Sequence, residues 1–215
     1  MEEKKTFKEN TANMNKKEKL KYIWYYYKFH IIVTIVIVAM VGSFVSTLVT
    51  RKSTYASITL LGDYVDNSKL SDYNKKANAS LLPNNKKSEI TITFLQKGDD
   101  SNSYNADQAL TARIAAKDID ILVLSKSDFN NYAKLGSLLD LSDLKNDKDL
   151  SKLNFIEATN DSDKGKITKP YGIDANDFSS SFNSINYDYK DKVVAIIVNT
   201  TNKDNSVKFL KWMLK

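Results

Sequence analysis

Between Ile31 and Val49 the chain runs IIVTIVIVAMVGSFVSTLV, nineteen consecutive residues without a charge. At ~1.5 Å of rise per residue, a helix of that length covers about 28 Å, close to the ~30 Å hydrocarbon thickness of a bilayer. The stretch predicts a transmembrane helix over residues 31–50. Every other residue is then assigned to one side of a membrane or the other, and the question becomes what each side can do.

Charge sets the expected orientation. Residues 1–30 carry eight Lys and four Glu, a net +4, whereas only Arg51 and Lys52 flank the far end closely. An excess of Lys and Arg favours the cytoplasmic side, so residues 1–30 read as a cytoplasmic basic tail. The outer part, 51–215, has 24 Lys and Arg against 22 Asp and Glu, so the basic excess lies mainly beside the span. That distribution suits anionic lipid head groups and gives no basic face for nucleic acid. Tyr22, Trp24, Tyr25, Tyr26 and Tyr27, with Lys28, form an aromatic collar of the kind that settles at a membrane interface, each ring apolar and each tip polar. His30, the single histidine, reads as a polar flank of the span. A cleaved signal peptide fits less well, because such apolar cores run to about 7–15 residues and end in a small-residue site. Here the apolar run is followed by Thr50-Arg-Lys-Ser53.

The outer 165 residues are enough for one domain with a real core, and with no cysteine in the chain that core is held by packing alone. A cysteine-free outer domain rich in Lys, Asn, Asp and Ile is the composition expected of a low-GC Gram-positive bacterium. The outer part contains neither His nor Cys, which removes a Ser-His-Asp triad, a cysteine nucleophile and the usual zinc sites. Its glycines show no phosphate-loop spacing, so no cofactor is expected and the chain does not read as an enzyme. Asp161-Ser-Asp-Lys-Gly165 invites a calcium-loop reading, but a ligand position would fall on Lys164 and the closing position on Tyr171, so a plain hairpin turn is expected.

Beyond a short stalk at 51–56, the domain at 57–215 alternates strand and helix signals. Ile58–Leu61 and Ile90–Phe94 read as strands, with a weak helix over Leu70–Leu82 between them. Gly98–Asn105 reads as a polar loop. Asn105 with Gln108 resembles a capping box that opens a helix over Ala106–Lys117. Ile119–Leu124 is a strand; Ser127 is expected to cap a helix over Asp128–Leu135, stopped by Gly136. Phe155-Ile156 and Ile167–Ile173 form two more strands, Val193–Val198 another, and Val207, Leu210 and Leu214 mark a last helix. The pattern predicts an α/β layered domain with a mainly parallel sheet and room for an antiparallel strand or two.

Four segments resemble the extracellular solute-binding proteins of the periplasmic-binding-protein type. They are Ala109–Leu124, Leu139-Asp-Leu-Ser-Asp-Leu144, Asp163–Ile173 with its KGKITKPYGI run, and Val193–Leu214 with its NT…N…KFLKWML ending. The resemblance implies two lobes around a cleft, yet the stretch between Ile173 and Val193 is too short for a second lobe, so a reduced, one-lobe version is implied. The collar and span also resemble those of anchored membrane proteins of low-GC Gram-positive bacteria.

Ligands of open α/β sheets lie beyond the carboxyl ends of the strands, near helix N-termini. That rule selects Asp63 and Tyr64, Gln96 and Lys97, and Ser125, Lys126 and Ser127, with Tyr171 and Asp174 at the return toward the hinge. Two functions follow. The first is an anchored accessory or regulatory protein contacting a membrane complex such as an ABC-type transporter or sensor. The second is an anchored module that binds a small solute or peptide.

Overall fold

A computed structural model describes residues 14–50, 52–97, 102–162 and 165–215. The basic tail before Met14, Arg51, residues 98–101 of the polar loop and the hairpin tip at 163–164 lie outside the described residues. The chain divides into two compact units, Met1–Arg51 and Lys52–Lys215.

Among the described residues, the first unit contains one helix, α1, Lys16–Thr50. It opens on a reciprocal cap: Asn15 Oδ1 accepts the Glu18 N–H at 2.9 Å and Glu18 Oε2 accepts the Asn15 N–H at 3.0 Å. By length and composition, Lys16–Ser46 suffices to cross a membrane. Trp24, Tyr25, Tyr26 and Tyr27 are exposed, and at ~100° per residue they point in four directions, so the collar encircles the helix. The Tyr22 and Tyr26 rings meet at a tilt of 42°, centroids 4.6 Å apart.

The second unit is built on one six-stranded sheet of order β2-β1-β3-β6-β5-β4. The strands are β1 (Ser53–Gly62), β2 (Ser88–Gln96), β3 (Ile121–Ser125), β4 (Phe155–Ser162), β5 (Gly165–Asp174) and β6 (Lys192–Ile196). The helices of this unit are α2 (Asn67–Leu81), α3 (Asn102–Ala115), α4 (Lys126–Lys134), α5 (Ser179–Ser184) and α6 (Lys203–Met213). β1 pairs in parallel with β2 and β3; β6 is antiparallel to both β3 and β5, and β5 to β4. The expected α/β layering is present, and the sheet is mixed. In its antiparallel half, Ser162 at the end of β4 pairs with Gly165 at the start of β5, and the chain from Ala175 to Asp191, which carries α5, re-enters the sheet at the end where β5 leaves it, so β6 runs back antiparallel to β5.

Alternate strand residues feed two cores. Ile58, Leu60, Ile121, Val123, Val194 and Ile196 face α5 and α6 through Phe182, Phe209 and Leu210. Leu61, Leu122, Leu124, Val193 and Ala195 face α3 and α4 through Leu110, Phe129 and Ala133. Strands buried on both faces need no polar alternation, which is why Ile121–Leu124 and Val193–Ile196 are continuous apolar runs.

Several boundaries differ from expectation. Ser53–Ala56, expected as stalk, are the first residues of β1, paired with the start of β2. α3 begins at Asn102, so Asn105 lies inside the helix and does not cap it. The cap of α4 is Ser125, whose Oγ accepts the Asp128 N–H at 3.1 Å, and Ser127 is an exposed residue of the first turn. Gly136 does end this helix in the left-handed region, φ +68°.

Two polar devices hold the frame. The buried Asp120, just before β3, accepts the Ser57 N–H at 2.8 Å, the Thr200 hydroxyl and the Asn202 amide at 3.2 Å. On the edge strand β2, the Asn78 carboxamide donates to Ile90 O and accepts from Ile90 N, both at 2.9 Å.

Candidate functional site

Because β1, β2 and β3 run in parallel, their carboxyl ends meet at one end of the sheet. β6 runs the other way and therefore starts there, with Lys192 opposite Ser125. A cavity of about 190 Å³ opens among Gly62, Asp63, Lys97, Ser125, Asp128 and Lys192. Gly62 lies close against the Tyr187 ring: a Cβ at this position would be 3.2 Å from Tyr187 Cε2, and in ordinary contact, 3.5 Å, with Lys192 Cε. Tyr187 itself donates its hydroxyl to Leu61 O, fixing the floor under the cavity. Burial, helped by Asp188 and Asp63, pushes the Tyr187 phenol well up, so it stays a neutral donor.

Lys97 is the centre of the charged network. Its Nζ donates to Asp107 Oδ1 at 2.7 Å and to Asp128 Oδ1 at 2.8 Å, tying α3 to α4 across the end of β2. Asp128 Oδ2 accepts the Ser125 hydroxyl at 3.0 Å, so that serine is a helix cap with both its donor and acceptor in use. Burial works to lower the Lys97 pKa, but the hydrogen bonds from Asp107 and Asp128 outweigh it and hold the group above the ordinary lysine value. Since the folded value is raised, this clamp contributes fully at neutral pH and is lost only as pH rises through the raised value. Lys97→Met is expected to cost about 1–2 kcal/mol at neutral pH, the screening of the half-exposed Asp107 keeping the figure small. The test is chemical unfolding of both proteins at neutral and strongly alkaline pH; a difference that fails to shrink at high pH would contradict the clamp.

Two charges in the cavity remain outside this network. Lys192 is half-buried, its Nζ 5.8 Å from the Tyr187 ring centroid, and Asp63 is exposed at the mouth. Neither makes an ion pair among the described residues, although both line the same cavity.

Of the sequence-selected residues, the cavity thus brings together Asp63, Lys97 and Ser125. Tyr64 and Gln96 are exposed next to it in sequence but do not line it, and Lys126 is paired with Asp191 at 3.2 Å. Tyr171 is buried in the core against α4, and Asp174, although it ends β5 opposite Val193, turns its carboxylate to the Asn176 N–H as a cap at 2.9 Å. Those two do not line the cavity. Asp107, Asp128 and Lys192 were not anticipated. Ser125-x-x-Asp128 is itself a capping signature and would have pointed to Asp128. Lys192 has no local signal, because only the direction of β6 brings it here. Among the described residues no group of three or more acidic, histidine or cysteine side chains is placed to hold a metal ion. The arrangement offers charge recognition in a small space.

No family model matches the chain, and no curated protein matches it. Among solved structures it is similar to the N-glycan transport solute binding protein of Streptococcus pneumoniae, at 20% identity and TM-score 0.33 over 56% of this chain and 24% of that one. It is similar to an extracellular solute-binding protein family 1 member from Alicyclobacillus acidocaldarius, at 18% identity and TM-score 0.36 over 61% and 33%. A third likeness is to an ABC substrate-binding protein of Listeria monocytogenes in complex with cycloalternan, at 22% identity and TM-score 0.34 over 60% and 34%. The chain spans a quarter to a third of the length of these proteins.

Proposed function

We propose that this chain is a single-span membrane protein whose outer α/β domain acts as an accessory or regulatory module in contact with a membrane complex, such as an ABC-type transporter or sensor. One observation carries the reading. The outer unit is a single sheet whose strand-end cavity is about 190 Å³, below the ~300–1,000 Å³ of sites that bury a drug-sized ligand. A docking role needs only a folded domain held at the membrane. The span and its collar supply the hold, with the N-terminus in the cytoplasm and the α/β domain outside.

Purification of the full chain from its native membrane in mild detergent, followed by mass spectrometry, tests this. A transporter or sensor component is expected at near-equal stoichiometry; a protein that arrives alone would overturn the accessory role. External protease on intact cells should remove the outer domain and spare an N-terminal tag. Loss of that tag would reverse the orientation.

A further inference from the structure

We infer that the strand-end cavity is a binding site for a small zwitterion of the α-amino acid class, its ammonium held by Asp63 and its carboxylate by Lys192. The inference is separate from the accessory reading and does not depend on it.

The argument rests on which groups in the cavity are already paired. Lys97, Asp128 and Ser125 are occupied with one another and with Asp107. What remains is one carboxylate and one ammonium, Asp63 and Lys192, on walls of the same cavity. They are more than 4.0 Å apart, since no ion pair joins them or links either to another described residue. A ligand of a single charge would satisfy one and leave the other beside a like charge. A ligand carrying both signs at short separation satisfies both.

Size points the same way. The cavity, about 190 Å³, is below the ~300–1,000 Å³ of sites that take drug-sized ligands. That is room for an amino-acid backbone with a short side chain.

The test is calorimetric titration of the full chain in lipid nanodiscs with the standard α-amino acids one at a time, beside acetate and methylamine as single-charge analogues. At least one short amino acid is expected to bind with Kd below about 1 mM, with acetate and methylamine each weaker by about tenfold or more. Lys192→Met and Asp63→Asn are each expected to weaken binding by about tenfold or more. Both side chains are outside the folded network, so the thermal midpoint of the unliganded variants should match the parent and separate lost binding from lost folding. The inference is overturned if no amino acid binds, if acetate or methylamine binds as well as the amino acid, or if either substitution leaves affinity unchanged. A chain that binds an amino acid yet co-purifies with no partner would keep this site and remove the accessory role. The reverse result would do the opposite.

Discussion

Replacing Asp120 with alanine is expected to cost about 3–5 kcal/mol of unfolding free energy. The side chain is 1% exposed, and its carboxylate accepts from three donors on two separate segments: Ser57 N, the Thr200 hydroxyl and the Asn202 amide. Its backbone adds two bonds, N–H to Ser57 O and carbonyl from Ile197 N, each 2.9 Å. One residue thereby pins β1, the entry to β3 and the turn that launches α6. Alanine keeps the backbone bonds and orphans the three donors, and an orphaned buried donor costs about 1–3 kcal/mol. Thr200 and Asn202 are half-buried and recover part of their loss from water, which sets the expected range below the sum. Asp120→Asn keeps the shape but turns an N–H₂ toward donors, and an intermediate loss is expected. Urea unfolding followed by far-UV circular dichroism should show an earlier midpoint with unchanged slope. A loss under about 1 kcal/mol for the alanine variant would refute the clamp.

A single methyl group at Gly172 is expected to be nearly as damaging, at about 2–3 kcal/mol. A Cβ there would lie 2.3 Å from Val193 Cγ1 and 2.8 Å from Phe129 Cε2. Val193 is fully buried and Phe129 1% exposed, so neither has room to retreat. Val193 is also β-branched and stiff about χ1. The strain therefore falls on the seat of α4 against the antiparallel half of the sheet. Adding Val193→Ala to Gly172→Ala removes the clashing methyl, and the double variant should be more stable than the two single losses added together. Strict additivity in that cycle would show that the clash is not the cause.

The contrast between these residues explains what could be read in the chain. Ile121–Leu124 and Val193–Ile196 announce themselves because a strand covered on both faces has a one-dimensional signature. Gly136 does so because only a few residues tolerate positive φ. Ser53–Ala56 do not, because their strand identity comes from pairing with Ser88–Ile90, more than thirty residues away. The run Ala175–Ser184 carries four serines and poor helix propensity, and it becomes helical because Phe178 and Phe182 are drawn into the core. The site divides in the same manner. Asp63, Lys97 and Ser125 follow from a rule about the ends of parallel strands. Lys192 begins a strand, and a rule about strand ends overlooks it unless the direction of β6 is known.

Asn78 has a consequence of another kind. An uncovered edge strand is a template on which a second polypeptide can lay down backbone hydrogen bonds and begin a fibre. On β2 the outward N–H and carbonyl of Ile90 are already taken by an amide, the same chemical group that an intruding chain would present. A helix side chain thus imitates one peptide unit of a neighbouring strand and shortens the template to the residues beyond it. That one carboxamide blocks a rung of the ladder where the sheet would otherwise be open to growth.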